Sequence, residues 1–300
     1  MSRGAVPHDF AFLFALLVLC GCQQPRETSD TLSRYSPAFY HSGQGLKVFP
    51  RAGRQFAMPL PFGCHMYFYR RDGEAIYCTS AERVLKIEFQ PLRATPLLGS
   101  DVFGVHGLAV VSQGDRLFIS GTRNRGGEEE RGIFELDPRS GDIRRLVRND
   151  APKTGDPVQF EWSYLDVSPD GKRAVAMRRQ RMELIDLTNG VITAFPPDLE
   201  LGAWSPDGRW LAAIDWKKGR TVLMDAVTPK PQRVLRMSDA DWSPDSHYLL
   251  GVKTSFFCGA YAGTFEATNV ETGKAVTISS SHCEVTRGGT GWLSSRIAPE

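Results

Sequence analysis

Short apolar runs set off by turn residues fill most of this chain, and one phrase recurs among them. Its clearest copy is Trp204-Ser205-Pro206-Asp207-Gly208-Arg209-Trp210-Leu211-Ala212-Ala213-Ile214. A second runs Trp242-Ser243-Pro244-Asp245-Ser246 and on to Val252, and a third runs Val167-Ser168-Pro169-Asp170-Gly171 and on to Met177. Weaker copies lie upstream, around Asp72-Gly73 and around Gly114-Asp115. In such a phrase Ser or Asp bonds a backbone amide, Pro presets φ, and Gly takes the left-handed position, so the phrase predicts a tight turn. The apolar run after it suits a pleated surface and predicts a strand. Ser246 and Asp115 stand where the other copies have Gly, which predicts strained turns or turns of another type.

A second phrase follows the first. Phe134-Glu135-Leu136-Asp137-Pro138-Arg139-Ser140-Gly141 leads into Asp142 to Leu146, and Leu184 to Ile192 and Ala267 to Val276 repeat the form. Each reads as strand, turn, strand. The two phrases together give four short antiparallel strands in ~40 residues, which is one propeller blade. Equivalent turn positions fall at residues 73, 115, 171, 208 and 246. The widest interval, 115 to 171, is too short for another blade and predicts two insertions, Arg123 to Arg131 and Asn149 to Glu161. The Trp204 and Trp242 phrases resemble the PD40 repeat of TolB-like β-propellers. That resemblance implies an all-β fold, a six-bladed propeller with four antiparallel strands per blade. Residues 291–298 look like opening strands and residues 46–56 copy a strand-turn-strand phrase. Both ends of the chain are therefore expected in the sixth blade, which removes exposed edges.

Ahead of the repeats, Phe10 to Cys22 is apolar and uncharged. It falls short of the ~20 residues of a membrane span and fits the apolar part of a secretory signal. The run ends Leu19-Cys20-Gly21-Cys22 before polar Gln23-Gln24. This resembles a bacterial lipobox, which implies cleavage before Cys22 and a lipid on its thiol. Gln23 is not Asp, which in that pattern implies sorting to the outer membrane, facing the periplasm. The expected organisation is a signal peptide at 1–21, a lipid anchor and tether at 22–42, and a propeller at 43–300.

Composition narrows the chemistry. Lys and Arg number 36 against 34 Asp and Glu, a formal charge of +2, so nothing in the charge draws nucleic acid to the chain. Cys64, Cys78, Cys258 and Cys283 remain beside Cys22, and export permits disulfides. Four cysteines allow three pairings. Cys64 and Cys78 flank the first turn about Arg71, which favours pairing them and leaves Cys258 with Cys283; four buried thiols are the alternative. The histidines are scattered, and no nucleophile elbow, phosphate loop or cofactor motif is present, so no cofactor is expected. Arg125-Gly126-Gly127-Glu128-Glu129-Glu130 carries acid where a phosphate cradle needs donors and reads as a solvated loop. Asp166 and Asp241 precede motif positions on two first strands and are weak candidates for a Ca²⁺ site, which needs six to eight oxygens. The plainer reading has them bonding backbone amides of a neighbouring blade.

Two classes of function fit. One is a non-enzymatic envelope lipoprotein, held to the membrane by its N-terminal lipid, whose propeller binds an envelope protein. The other is a propeller hydrolase, lyase or lactonase-like enzyme acting on a small molecule or glycan at the channel mouth. The missing catalytic constellation favours the first. The irregular insertions mark one face as the binding rim.

Overall fold

The computed structural model describes residues 34–41, 45–49, 56–58, 66–70, 74–80, 83–89, 91–98, 103–111, 116–150, 162–179, 181–195, 197–254, 262–279, 284–285 and 290–294. Strands carry the fold. The chain opens with β1 (Tyr35–His41), β2 (Gly45–Val48) and β3 (Phe56–Met58). A sheet follows in chain order, β4 (Met66–Tyr69), β5 (Ala75–Ser80), β6 (Arg83–Phe89) and β7 (Leu92–Leu98). The next holds β8 (Phe103–Val111), β9 (Arg116–Arg125), β10 (Glu128–Leu136) and β11 (Ile143–Arg148). Then come β12 (Tyr164–Val167), β13 (Arg173–Arg178), β14 (Arg181–Asp186) and β15 (Ile192–Ala194). After them lie β16 (Glu200–Trp204), β17 (Trp210–Asp215), β18 (Arg220–Asp225) and β19 (Pro231–Leu235). A further sheet has β20 (Ser238–Trp242), β21 (Tyr248–Thr254), β22 (Ala262–Asn269) and β23 (Ala275–Thr277), with β24 (Glu284–Val285) added against β22. Finally β25 (Thr290–Ser294) returns to the start of the chain, giving the order β25-β1-β2-β3.

Among the described residues all strand pairings are antiparallel, and the architecture is a β-propeller with four strands per blade. The first strand of each sheet touches the first strand of the next: β4 meets β8, β12 meets β8 and β16, and β20 meets β16 and β25. These strands line the axis. β25 also touches β4, which closes the circle. An apolar layer fills each gap between neighbouring sheets. On β17, Leu211 and Ala213 pack toward the preceding sheet and Ala212 toward the following one. Both sides of such a strand are covered, which is why the run Leu211-Ala212-Ala213-Ile214 is apolar throughout and does not alternate.

Strand direction alternates, so two faces are distinct. Turns joining first to second and third to fourth strands share one, called here the motif face. Hairpins joining second to third strands, and the connections between sheets, share the other, the hairpin face.

The chain start departs from expectation. The expected tether at 22–42 includes residues 35–41, yet β1 lies inside the closing sheet. It pairs with β25 from Tyr35↔Ser294 to Phe39↔Thr290 and with β2 from Ala38↔Val48 to His41↔Gly45. Pro37 disguises it in the sequence, since proline is unusual within a strand. Here its carbonyl accepts the Phe49 amide at 2.9 Å, at the end of the β1–β2 ladder, where a missing N–H costs little. Ser36 and Ala38 are buried. The C-terminal side therefore contributes one described strand to this sheet and the N-terminal side three. Residues 1–33, with the lipobox at Cys22, and 295–300 lie outside the described residues.

Candidate functional site

The recurring turn is built the same way three times. Ser168 Oγ donates to Asp170 Oδ1 at 2.6 Å and accepts the Arg173 amide at 2.9 Å. Ser205 bonds Asp207 Oδ1 at 2.6 Å and the Trp210 amide at 2.9 Å. Ser243 bonds Asp245 Oδ1 at 2.8 Å and the Tyr248 amide at 2.9 Å. Pro169, Pro206 and Pro244 start these turns, and Gly171 (φ 72°) and Gly208 (φ 76°) occupy the left-handed position. Ser246 takes the same conformation at φ 66°, so the turn keeps its type and carries the strain of a side chain there. The hydroxyl of Ser246 gains a bond in return, accepting the Asp207 amide of the preceding sheet at 2.9 Å. Burial pushes the Asp170 carboxyl up, but the Ser168 hydroxyl, the Lys172 amide and the Arg173 and Lys172 charges outweigh it and hold the group below its ordinary range. A serine and an aspartate tied into one clamp serve the turn.

Asp166 Oδ2 accepts the Trp204 amide, on the next sheet, at 2.6 Å. Asp241 Oδ1 accepts the amide of its neighbour Trp242 at 2.8 Å. Among the described residues no group of three or more His, Cys, Asp or Glu stands ready for a metal. Cys78 is fully buried on β5 and is disulfide-bonded; Cys64, Cys258 and Cys283 lie outside the described residues.

The segment Arg123–Arg131 is not a loop inserted between strands. β9 has 10 residues and β10 has 9, against 6 each for β13 and β14, so the hairpin itself is longer. It stands out from the hairpin face by about three residues a strand, roughly 10 Å. Gly126 (φ 61°) and Gly127 (φ 89°) form its two-residue turn, which needs positive φ at both positions. The charges that looked like solvated-loop residues alternate across the register: Glu128 faces Arg125 and Glu130 faces Arg123. Opposite charges on paired strands support the projection. Of the other expected insertion, Asn149–Glu161, residues 151–161 lie outside the described residues.

Beside that hairpin a groove of about 830 Å³ opens between β11 of one sheet and β14 and β15 of the next. Arg148, Arg178, Arg179 and Arg181 line it, with Asp150 and Glu183 as the described carboxylates. Its base is fixed. Arg178 donates through Nε and Nη2 to Glu183 Oε1 at 3.2 and 2.9 Å, and Trp162 Nε1 donates to Glu183 Oε2 at 2.8 Å. The Arg178 guanidinium lies over the Trp162 ring, 5.2 Å from its centroid. Glu183 is thus fully engaged. At the mouth, Arg148 pairs with Asp150 at 2.6 Å, both largely in solvent. Exposed pairs of this kind contribute little and exchange easily. Arg179 is held at φ 52° in the β13–β14 turn, a conformation that disfavours side chains and that marks functional positions more often than chance. Arg181 is exposed and has no ion pair among the described residues. The sequence carried a signal for this site, three arginines in Arg178-Arg179-Gln180-Arg181 at a strand junction, but Arg148 lies on a different sheet and only the fold brings it there.

No family model matches the chain, and no curated protein matches it in sequence. Among solved structures it is similar to a protein described as TolB from Agrobacterium tumefaciens, at 16% identity over 87% of this chain and 97% of that one, with a TM-score of 0.54. It is similar as well to an oligogalacturonate lyase in complex with manganese, at 11% identity over 77% of this chain and 69% of that one, with a TM-score of 0.53. At such identities the likeness is one of fold: a β-propeller.

Proposed function

We propose that this chain is a non-enzymatic envelope lipoprotein whose propeller, a six-bladed ring closed by β25 and β1, presents a protein-binding surface on its hairpin face. The observation that carries the reading is the β9–β10 hairpin. It projects beyond a regular ring, its turn and charges stabilise it as a built element, and none of this serves the packing of the sheets. Rigid scaffolds place recognition on such projections. The nearly end-to-end TolB-like fold is compatible with that role.

An enzyme of the lyase or hydrolase kind is the competing reading, since one propeller of similar fold is a lyase. Its natural centre would be the axial channel. There one oxygen of Asp166 and one of Asp241 each accept a backbone amide, the work of turns and blade packing.

Two experiments test the proposal. The register pairs Arg123 with Glu130, so residues 124–129 can be replaced by Asn-Gly with the hairpin closed two-residue fashion. Surface changes of this type stay within about 0.5 kcal/mol, so Tm should hold within about 2 °C. Cross-linked capture of an envelope protein, identified by mass spectrometry, should be lost. Capture at the wild-type level would refute the reading. For the anchor, Cys22→Ala should move the chain from the membrane to the soluble fraction or leave an unprocessed precursor; a processed, membrane-bound variant would exclude the lipid on Cys22.

A further inference from the structure

We propose that the arginine-lined groove between β11 and β14–β15 is a binding site for an extended acidic peptide. Three properties of the groove point to that ligand. Among the described lining residues its charge is one-sided: four arginines stand with two carboxylates, and one of those, Glu183, is engaged by Arg178 and the Trp162 indole. Guanidinium forks at the mouth match carboxylates in planar, paired hydrogen bonds. Its outer wall is a sheet edge. Among the described residues β15 pairs only with β14, so its other side offers backbone donors and acceptors to an added strand. Ile192, the first residue of β15, lines the groove and is 40% exposed, so a bound strand would meet aliphatic carbon as well as arginine.

The same features argue against a sugar or a nucleic acid. Trp162 is the one aromatic side chain among the described lining residues, and it is 2% exposed beneath Arg178. Among the described lining residues no bare ring is offered for a sugar or a base to stack on. A flat lipid surface does not reach into a groove whose base is a partly buried Arg–Glu–Trp cluster.

Arg179 and Arg181 contact the ligand in this account, while Arg178 holds the base rigid. Arg179 holds its left-handed backbone between Arg178 and Arg181, which pair across the β13–β14 ladder, and all three line the groove. The site rests on the scaffold reading only for the source of the peptide, a segment of the bound protein.

The test uses the full chain purified in mild detergent and a fluorescein-labelled peptide alternating Glu with Val. Anisotropy should show salt-sensitive binding. A counterpart with Lys in place of Glu should not bind. The double variant Arg179→Gly, Arg181→Ser should weaken binding about tenfold or more, as expected for charge-assisted hydrogen bonds. Its Tm should not fall, since glycine takes the turn conformation freely. Unlabelled oligogalacturonate and inorganic phosphate, added as competitors, should displace the peptide only at far higher concentration. The proposal is overturned by no binding of the Glu peptide, by unchanged affinity in the variant, by equal binding of the Lys peptide, or by either competitor displacing the peptide first. Lost peptide binding with intact partner capture would leave the scaffold reading standing. Intact peptide binding with capture unaffected by the hairpin replacement would remove the scaffold reading and keep the site.

Discussion

At the scale of single residues, the turn clamps tie stability to pH. The folded state holds Asp170 below its ordinary pKa: burial raises it, and the Ser168 hydroxyl, the Lys172 amide and the nearby Arg173 and Lys172 charges more than compensate. Glu135 behaves alike, with burial opposed by hydrogen bonds and charge from Arg144 and Arg116. A carboxylate whose folded pKa is depressed contributes stability above its unfolded pKa, near 4, and loses it as pH falls through the folded value. Tm should therefore decline as pH drops from about 5 to about 3. Asp170→Asn should lower Tm at pH 7 and make that acid decline shallower. Equal slopes for variant and wild type, measured by calorimetry across that range, would show that the clamp is not what titrates. Residues of this kind were legible in the sequence, because Ser, Pro, Asp and Gly in order dictate their own local bonds. Ser246 was legible only in part. Its left-handed strain follows from the phrase, but its bond to the Asp207 amide crosses between sheets and depends on the packing.

At the scale of elements, propensity and alternation failed wherever a neighbour decided the outcome. β1 contains Pro37 and has no turn signal ahead of it, so the run read as tether; the ladders supplied by β25 and β2 make it a strand. The segment Arg123–Arg131 read as an insertion because charge and glycine usually mark loops. Cross-strand pairing turns the same charges into a hairpin, and the glycines into its turn. This is why the replacement of residues 124–129 by Asn-Gly is expected to spare stability. It removes matched pairs from the end of a ladder and touches none of the buried layer formed by Phe118, Ile133 and Val147. The groove was legible only in its Arg178–Arg181 run, for a related reason: Arg148 comes from β11 and the other arginines from around the β13–β14 turn, elements that meet only after two sheets have packed.

At the scale of the whole molecule, every assignment of a loop to a face depends on one closed ring. The repeat announced the ring, and closure follows from β25 lying between β4 and β20 while pairing with β1. Closure fixes the long hairpin and the groove mouth on a single side, and it leaves the turn clamps on the other. A ring open at this point would hold no such rigid face, and the outer edges of its end sheets would be bare. Removing residues 290–300 and measuring Tm tests this most directly. The truncation deletes the five registered pairs between β25 and β1 and the contacts of β25 with β4 and β20. A loss of roughly 3 kcal/mol or more is expected, which for a chain of this size lowers Tm by at least about 6 °C. A truncated chain that melts at the wild-type temperature would contradict closure by the two ends.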